Sequence, residues 1–211
     1  MDKLIEGYRK FRANYYEQNQ ELFETLARDG QSPKILLIGC SDSRVDPAVI
    51  FWAQPGDVFV LRNVANLVPP YAPDNNLHGT SAAIEFAVRT LKVEHIIVMG
   101  HTGCGGVQAL VEGKGEGLGE TDFIAGWMTI ARAARDRALV RSLASGATPE
   151  ATLRICEQEV VAASMANLMS FPWIKAAAQA GQLQIHGLWF HVKTGELYKL
   201  NPVSNAFEVM A

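Results

Sequence analysis

The chain has 211 residues, 48% of them apolar and 19% charged, with a formal net charge of −3 and a pI of about 6.0. That is enough chain for one domain, or one domain with arms, around a real core, and it offers no basic surface for nucleic acid. The first residues carry no apolar signal segment, no run reaches the ~18 apolar residues of a membrane span, and three cysteines without a C-x-x-C pair make no disulfide framework; the expected compartment is the cytoplasm, where thiols stay reduced.

Residues 1–29 lack proline, and Leu4, Tyr8, Phe11, Tyr15, Leu22, Phe23 and Leu26 recur at roughly helical spacing, which predicts a helical arm over 1–30. The arm packs either on its own domain or on a partner subunit. "KILLIG" (34–39) is a buried strand, "DVFVLR" (57–62) a second behind the turn signal "QPG", and "EHIIVMG" (94–100) a third. Between the last two lies a helix over 78–93, capped at Thr80. "GGVQALVEG" opens another at 105. "GKGEGLGE" (113–120) is a loop without the Lys-Ser/Thr ending of a phosphate loop. Helices follow over 121–139, over 148–169 with Thr148 as N-cap and Pro149 at the first position, and over 172–181, closed by Gly181. Strands at 183–192 and 195–200 end the pattern. Strands alternating with helices predict an α/β fold: a mainly parallel central sheet flanked by helices, with the N-terminal helical arm and a late antiparallel edge strand. Residues 31–211 form a single domain.

Two strand ends carry the reactive groups: Cys40 after "KILLIG", and His101 with Cys104 in "GHTGCGG". In open parallel sheets ligands bind at the carboxyl ends of strands, where strand order reverses. Two thiolates and an imidazole are donors that Zn2+ prefers, and three protein ligands with one open position is the catalytic pattern. Cys156 falls at core spacing in a helix and is read as a small buried hydrophobe. Asp42 either closes the metal shell or, paired with Arg44, leaves it open to water. In extended chain Cys40, Asp42 and Arg44 share one face. An ionised Asp42 is an acceptor only, and beside zinc it selects a bound water or hydroxide. A dithiolate site acidifies its water less than a tris-histidine site, so neutral to alkaline pH should favour it.

"CSDSR" (40–44), "RNVAN" (62–66) and "GHTGCGG" (100–106) together resemble the β-class carbonic anhydrases; the likeness runs from about Gln31 through the late strands. "RNVANLVPPY" and "CEQEVVAASMANLMSFPW" are similar to the plant-type subgroup in particular. The resemblance implies reversible hydration of CO2 to bicarbonate and a proton by zinc-bound hydroxide. It implies one zinc per subunit on Cys40, His101 and Cys104, and Asp42 with Arg44 as the dyad that orients the hydroxide. Gln31 matches a substrate-binding amide, Phe59, Val64 and Phe86 an apolar substrate wall, and the Gly105 N–H a further donor. The family builds its site at a dimer interface, with Gln31 from one subunit and zinc from the other, which implies a homodimer or a tetramer of two dimers. Phe86 departs from the tyrosine that plant-type members often carry. The Trp–Arg–Tyr triad that holds inhibitory bicarbonate in one subgroup falls on Leu37, Arg62 and Phe190, so only the arginine is kept, and an open zinc site at neutral pH is expected. Two other functions compete: hydrolysis of CS2 or COS on the same fold, and a non-enzymatic zinc-stabilised assembly module. The second has no use for Asp42, Arg44 or Gln31.

Overall fold

A computed structural model describes residues 1–74, 76–112 and 123–210. The predicted loop 113–120 and the first two residues of the predicted 121–139 helix lie outside the described residues. In chain order the elements are α1 (Asp2–Lys10), α2 (Gln20–Asp29), β1 (Ile35–Cys40), α3 (Pro47–Ile50), β2 (Val58–Asn63), α4 (Gly79–Glu85), β3 (His95–His101), α5 (Gly105–Val111), α6 (Ile124–Met128), α7 (Arg132–Ser145), α8 (Pro149–Leu168), α9 (Pro172–Gln179), β4 (Gln184–Phe190), β5 (Leu197–Asn201) and β6 (Ala206–Val209). No helix among the described residues is long and apolar enough to cross a membrane.

The sheet runs β2-β1-β3-β4-β5-β6. The first four strands are mutually parallel, and β5 and β6 are antiparallel. The expected late edge strand is therefore a pair; β6, short and mostly exposed, carries too little apolar alternation to stand out in sequence. After β1 the chain moves outward to β2, then crosses back to place β3 on the other side of β1. Strand order thus reverses between β1 and β3, and their carboxyl ends flank the crevice where such sheets bind ligands.

Burial explains the strands. Leu36 and Ile38 of β1 and Ile96 and Val98 of β3 face one side and pack with Val161, Leu168, Phe171 and Ile174 from α8 and its successor. Leu37, Met99 and Leu188 face the other, against Ile50 and Phe51. Alternation along each strand assigns these residues to opposite faces. A third cluster of Val45, Val107, Leu110, Met128, Cys156 and Val160 closes over the strand ends. The first turn of α8 is capped as read: Thr148 Oγ1 accepts from the Ala151 N–H at 3.2 Å, with Pro149 at the first position. α7 reaches Ser145, beyond the expected 139, because its contact stripe on α8 is built from the small residues Ala134, Ala138 and Ser142 rather than from large apolar side chains. Thr80 does not cap its helix; α4 begins one residue earlier, at Gly79, and no side chain caps it. The same rod continues past Glu85 as a π-helical turn over Phe86–Thr90.

The arm has no buried residue in α1 or α2. Its aromatic rings stack on one another, Phe11 and Tyr16 against Phe23, and leave Leu4, Tyr8 and Tyr15 in the open.

Gly100, next to His101, admits no side chain. A Cβ there would lie 2.7 Å from Val161 Cγ2 and 3.5 Å from the Trp189 ring. Gly100→Ala should lower stability by about 1–3 kcal/mol through overpacking, read as a fall in the urea midpoint. Adding Val161→Ala should recover part of it.

Candidate metal centre

Three buried donors meet at the crevice. Cys40 is the last residue of β1 and His101 the last of β3, so each strand runs one residue further than its apolar run predicts. Cys104 stands at the N-cap position of α5. Between them Gly103 takes φ +67°, the left-handed region that favours glycine, and turns the loop so that both ends of His-Thr-Gly-Cys face inward. The ligand atoms of Cys40, His101 and Cys104 all lie within 4.8 Å of one another.

The chemistry of the donors fits a tetrahedral ion. The two sulfurs are 3.9 Å apart, far beyond the ~2.05 Å of a disulfide. Two bonds of ~2.3 Å at the tetrahedral angle would place them about 3.8 Å apart. His101 Nδ1 faces the Thr102 carbonyl at 3.0 Å, which makes it the protonated nitrogen and leaves Nε2 with its lone pair. That Nε2 is buried without a hydrogen-bond partner, one of two such side-chain atoms among the described residues. Hydrogen bonding from Cys104 holds the Cys40 thiol well below its ordinary pKa, and hydrogen bonding to the resulting thiolate, with burial, pushes Cys104 up. A cation between the two sulfurs would offset the second thiolate charge, which burial opposes.

Asp42 and Arg44 pair as expected, but not because the chain is extended. The strand ends at Cys40 and residues 42–45 turn, with the Val45 N–H on the Asp42 carbonyl at 3.2 Å. Asp42 Oδ1 accepts from the Arg44 backbone N–H at 2.9 Å and from Nε at 3.0 Å, and Oδ2 accepts from Nη2 at 2.7 Å. This is an Asx turn closed by a bidentate ion pair. The Arg44 guanidinium holds the Asp42 carboxyl far below the usual carboxylate range. Arg44 Nη2 also donates to the Gly103 carbonyl at 2.9 Å, tying the dyad to the other loop. Asp42 is not part of the three-donor cluster.

Two residues that hold the site have no catalytic role in the sequence reading. Arg62 donates to the Cys40 carbonyl (2.9 Å), the Asp42 carbonyl (2.7 Å) and the Asp46 carboxylate (2.7 Å), and so clamps the turn from beneath. Glu157, inside α8 and 3% exposed, accepts from the Cys104 N–H at 3.1 Å and from Trp189 Nε1 at 3.3 Å. Burial pushes its carboxyl up to about 7, against those hydrogen bonds. Its sequence signal is an acidic residue on a stripe, Leu153, Val160, Val161 and Ser164, that is otherwise apolar or small.

The pocket residues fall into separate places. Phe59 of β2 and Phe86 pack with ring centroids 5.9 Å apart, and Val64 follows β2 directly, part of its side chain open. Gly105 is the first residue of α5, and space is open where a Cβ would stand. Gln31 is exposed and precedes β1. The five steps from Ile35 to Cys40 climb roughly 16 Å, so Gln31 and Cys40 stand at opposite ends of the strand.

Residues 35–197 match the family model described as carbonic anhydrase. A carbonic anhydrase of Synechococcus elongatus is 37% identical over 205 residues, 97% of this chain and 73% of the relative. The mitochondrial beta carbonic anhydrase 6 of Arabidopsis thaliana is 38% identical over 199 residues, 94% of this chain and 67% of the relative. Among solved structures, the beta-carbonic anhydrase CcaA superposes with a TM-score of 0.92 at 35% identity, covering 100% of this chain and 92% of that one. One of two tetrameric beta-carbonic anhydrases from Sordaria macrospora reaches a TM-score of 0.79 at 31% identity, covering 100% and 98%.

Proposed function

The chain belongs to the β-class carbonic anhydrases and catalyses the reversible hydration of CO2 to bicarbonate and a proton; within that activity we propose that Cys40, His101 and Cys104 hold one zinc per subunit and that Asp42 with Arg44 is the dyad beside it. The observation that carries the site is the buried His101 Nε2, bare of any partner, within 4.8 Å of two sulfurs at tetrahedral spacing.

Zinc bound there supplies Lewis acidity, which generates a nucleophile from water near neutral pH. The chain's own groups do the rest. Two thiolates and one neutral imidazole offset the ion's charge, so the pocket needs no further anion. Asp42, ionised and locked to Arg44, has no proton to give and therefore accepts one hydrogen bond from the nucleophile, fixing which lone pair faces the substrate. Val64 follows β2 at the crevice, whereas Phe59 registers with Leu36, four residues before Cys40, and packs with Phe86, so these two rings, like Gln31, would complete the site of the other subunit. Together the three supply an apolar wall suited to CO2, which carries neither charge nor dipole and releases readily once it becomes a charged product. The Gly105 N–H, at the first turn of α5, is a donor for a developing oxygen charge. Leu37 and Phe190 offer no hydrogen bond, and Arg62 is already committed to two carbonyls and Asp46. This supports a site free of the inhibitory bicarbonate of the triad-bearing subgroup.

The working unit is a dimer, or a tetramer of dimers, in which Gln31 of one subunit serves the zinc of the other. Three observations support this: the strand length separating Gln31 from Cys40, the uncovered aromatic stripe of the arm, and the partial exposure of the sheet face around Val58 and Ile97. The experiment is metal analysis, sedimentation and stopped-flow CO2 hydration on one preparation between pH 6.5 and 9. One zinc per chain, a mass of at least a dimer and activity rising toward alkaline pH are expected. Bound zinc without activity anywhere in that range would favour the assembly module.

A further inference from the structure

We propose that Glu157 is a positioning residue for the metal loop: together with Arg44 it grips a single peptide unit from both sides and so fixes the direction of the Cys104 sulfur. This rests on the reading of Cys104 as a metal ligand.

The peptide joining Gly103 to Cys104 has its carbonyl oxygen on Arg44 Nη2 at 2.9 Å and its N–H on Glu157 Oε1 at 3.1 Å. A cation holds one end of the peptide dipole and a carboxylate the other. No β-ladder or helical hydrogen bond constrains that unit, because β3 has ended at His101 and α5 begins at Gly105. Gly103, at φ +67°, gives the loop its freedom to turn and therefore also its freedom to be misplaced. Rotation of this plane would swing the Cys104 Cα–Cβ bond and carry Sγ away from Cys40 and His101. The grip removes that rotation.

The support behind Glu157 is rigid. Its second oxygen accepts from Trp189 Nε1 at 3.3 Å, and Trp189 is 1% exposed in β4, registered beside Gly100 of β3. α8 therefore reads the position of two adjacent strands and transmits it to the ligand loop. A carboxylate 3% exposed is costly to bury, and an apolar residue at this point of the stripe would pack without that cost. Its use is the acceptor it presents to two buried N–H groups. Groups one step behind metal ligands typically change metal affinity or activity 10- to 100-fold when removed.

The test compares Glu157→Met, which keeps length and removes both acceptors, with Glu157→Gln, which keeps an acceptor oxygen for the Cys104 N–H. Zinc release to a chelator should be ten- to a hundredfold faster in Glu157→Met and within about threefold of wild type in Glu157→Gln. The cobalt-substituted Glu157→Met protein should show shifted thiolate-to-metal absorption. Equal release rates in Glu157→Met and wild type would overturn the proposal. So would equally fast release in both variants, since charge rather than the acceptor would then be responsible. If Glu157→Met does not fold, amide exchange in wild type decides: the Cys104 N–H should be among the slowest in residues 101–106, and rapid exchange there overturns the inference. Failure of the underlying site looks different, because wild type itself would then bind no zinc.

Discussion

Cys104→Ser should leave the protein folded and nearly free of zinc, with CO2 hydration reduced at least about a thousandfold. Serine preserves the size of the side chain and the N-cap position of α5, where a hydroxyl is if anything preferred. It cannot supply the charge. An alcohol does not ionise at neutral pH, so the second anionic donor is gone, and Cys40 with His101 make only a two-point attachment. The loss should therefore appear first in metal content, with zinc falling from one per chain to below about a tenth after dialysis. Activity follows because nothing else among the described residues gathers three such donors. Cys156→Ser is the internal control. Cys156 is fully buried in α8, and burial pushes its thiol up to about 12, so it stays protonated and offers no ligand. That variant should keep its zinc and lose only stability. If Cys104→Ser retained stoichiometric zinc while Cys156→Ser lost it, the assignment of ligands would be wrong.

How far the sequence shows this site depends on the range over which each feature is determined. The strands are legible because β1 and β3 are buried on both faces, and a continuous apolar run such as "ILLI" has no other place to go. The three clustered donors are legible because reactive residues directly after such runs fall at strand ends, and strand ends are where α/β sheets bind. The Asp42–Arg44 pair is visible in the spacing, but its geometry is not: extended chain puts i and i+2 on one face, while the actual contact is an Asx turn closed by the side chains themselves. Turn chemistry over three residues is ambiguous from local pattern alone. Arg62 and Glu157 lie further out of reach. Their partners include backbone groups 20 and 53 positions away and side chains 16 and 32 away, and no local periodicity records such contacts. Glu157 did leave a trace, a carboxylate where the helical stripe calls for an apolar side chain. β6 left almost none, since an edge strand of four residues needs only one neighbour and little burial. The arm is half legible. Its helical spacing is clear in the sequence, but the surface proposed above to cover its exposed aromatics, that of a second subunit, is written in no local pattern.

Asp42→Asn should keep its zinc and lower kcat about a hundredfold, or roughly 2.7 kcal/mol in the barrier. The amide retains one acceptor oxygen for the Arg44 backbone N–H. Its NH2 group, however, points donors at a guanidinium that is itself all donors, so the bidentate pair opens: Nη2 loses its carboxylate oxygen and keeps only the Gly103 carbonyl, while Nε stays on the retained oxygen. The acceptor that orients the nucleophile is lost while the three metal donors stay in place. The pH dependence separates this account from its rivals. A carboxyl whose folded pKa is depressed stays charged above its unfolded value of about 3.9 and loses its contribution only as pH falls through the lower, folded value. Arg44 places Asp42 in that class, so Asp42 does not change charge between pH 6.5 and 9. The wild-type and Asp42→Asn profiles should then each show the same number of ionisations and differ chiefly in height. An ionisation present in wild type and abolished in Asp42→Asn would mean that Asp42 titrates in the working range. Activity that rose in Asp42→Asn near pH 6.5 would mean that the carboxylate had been closing the metal shell, and the open site proposed above would be wrong.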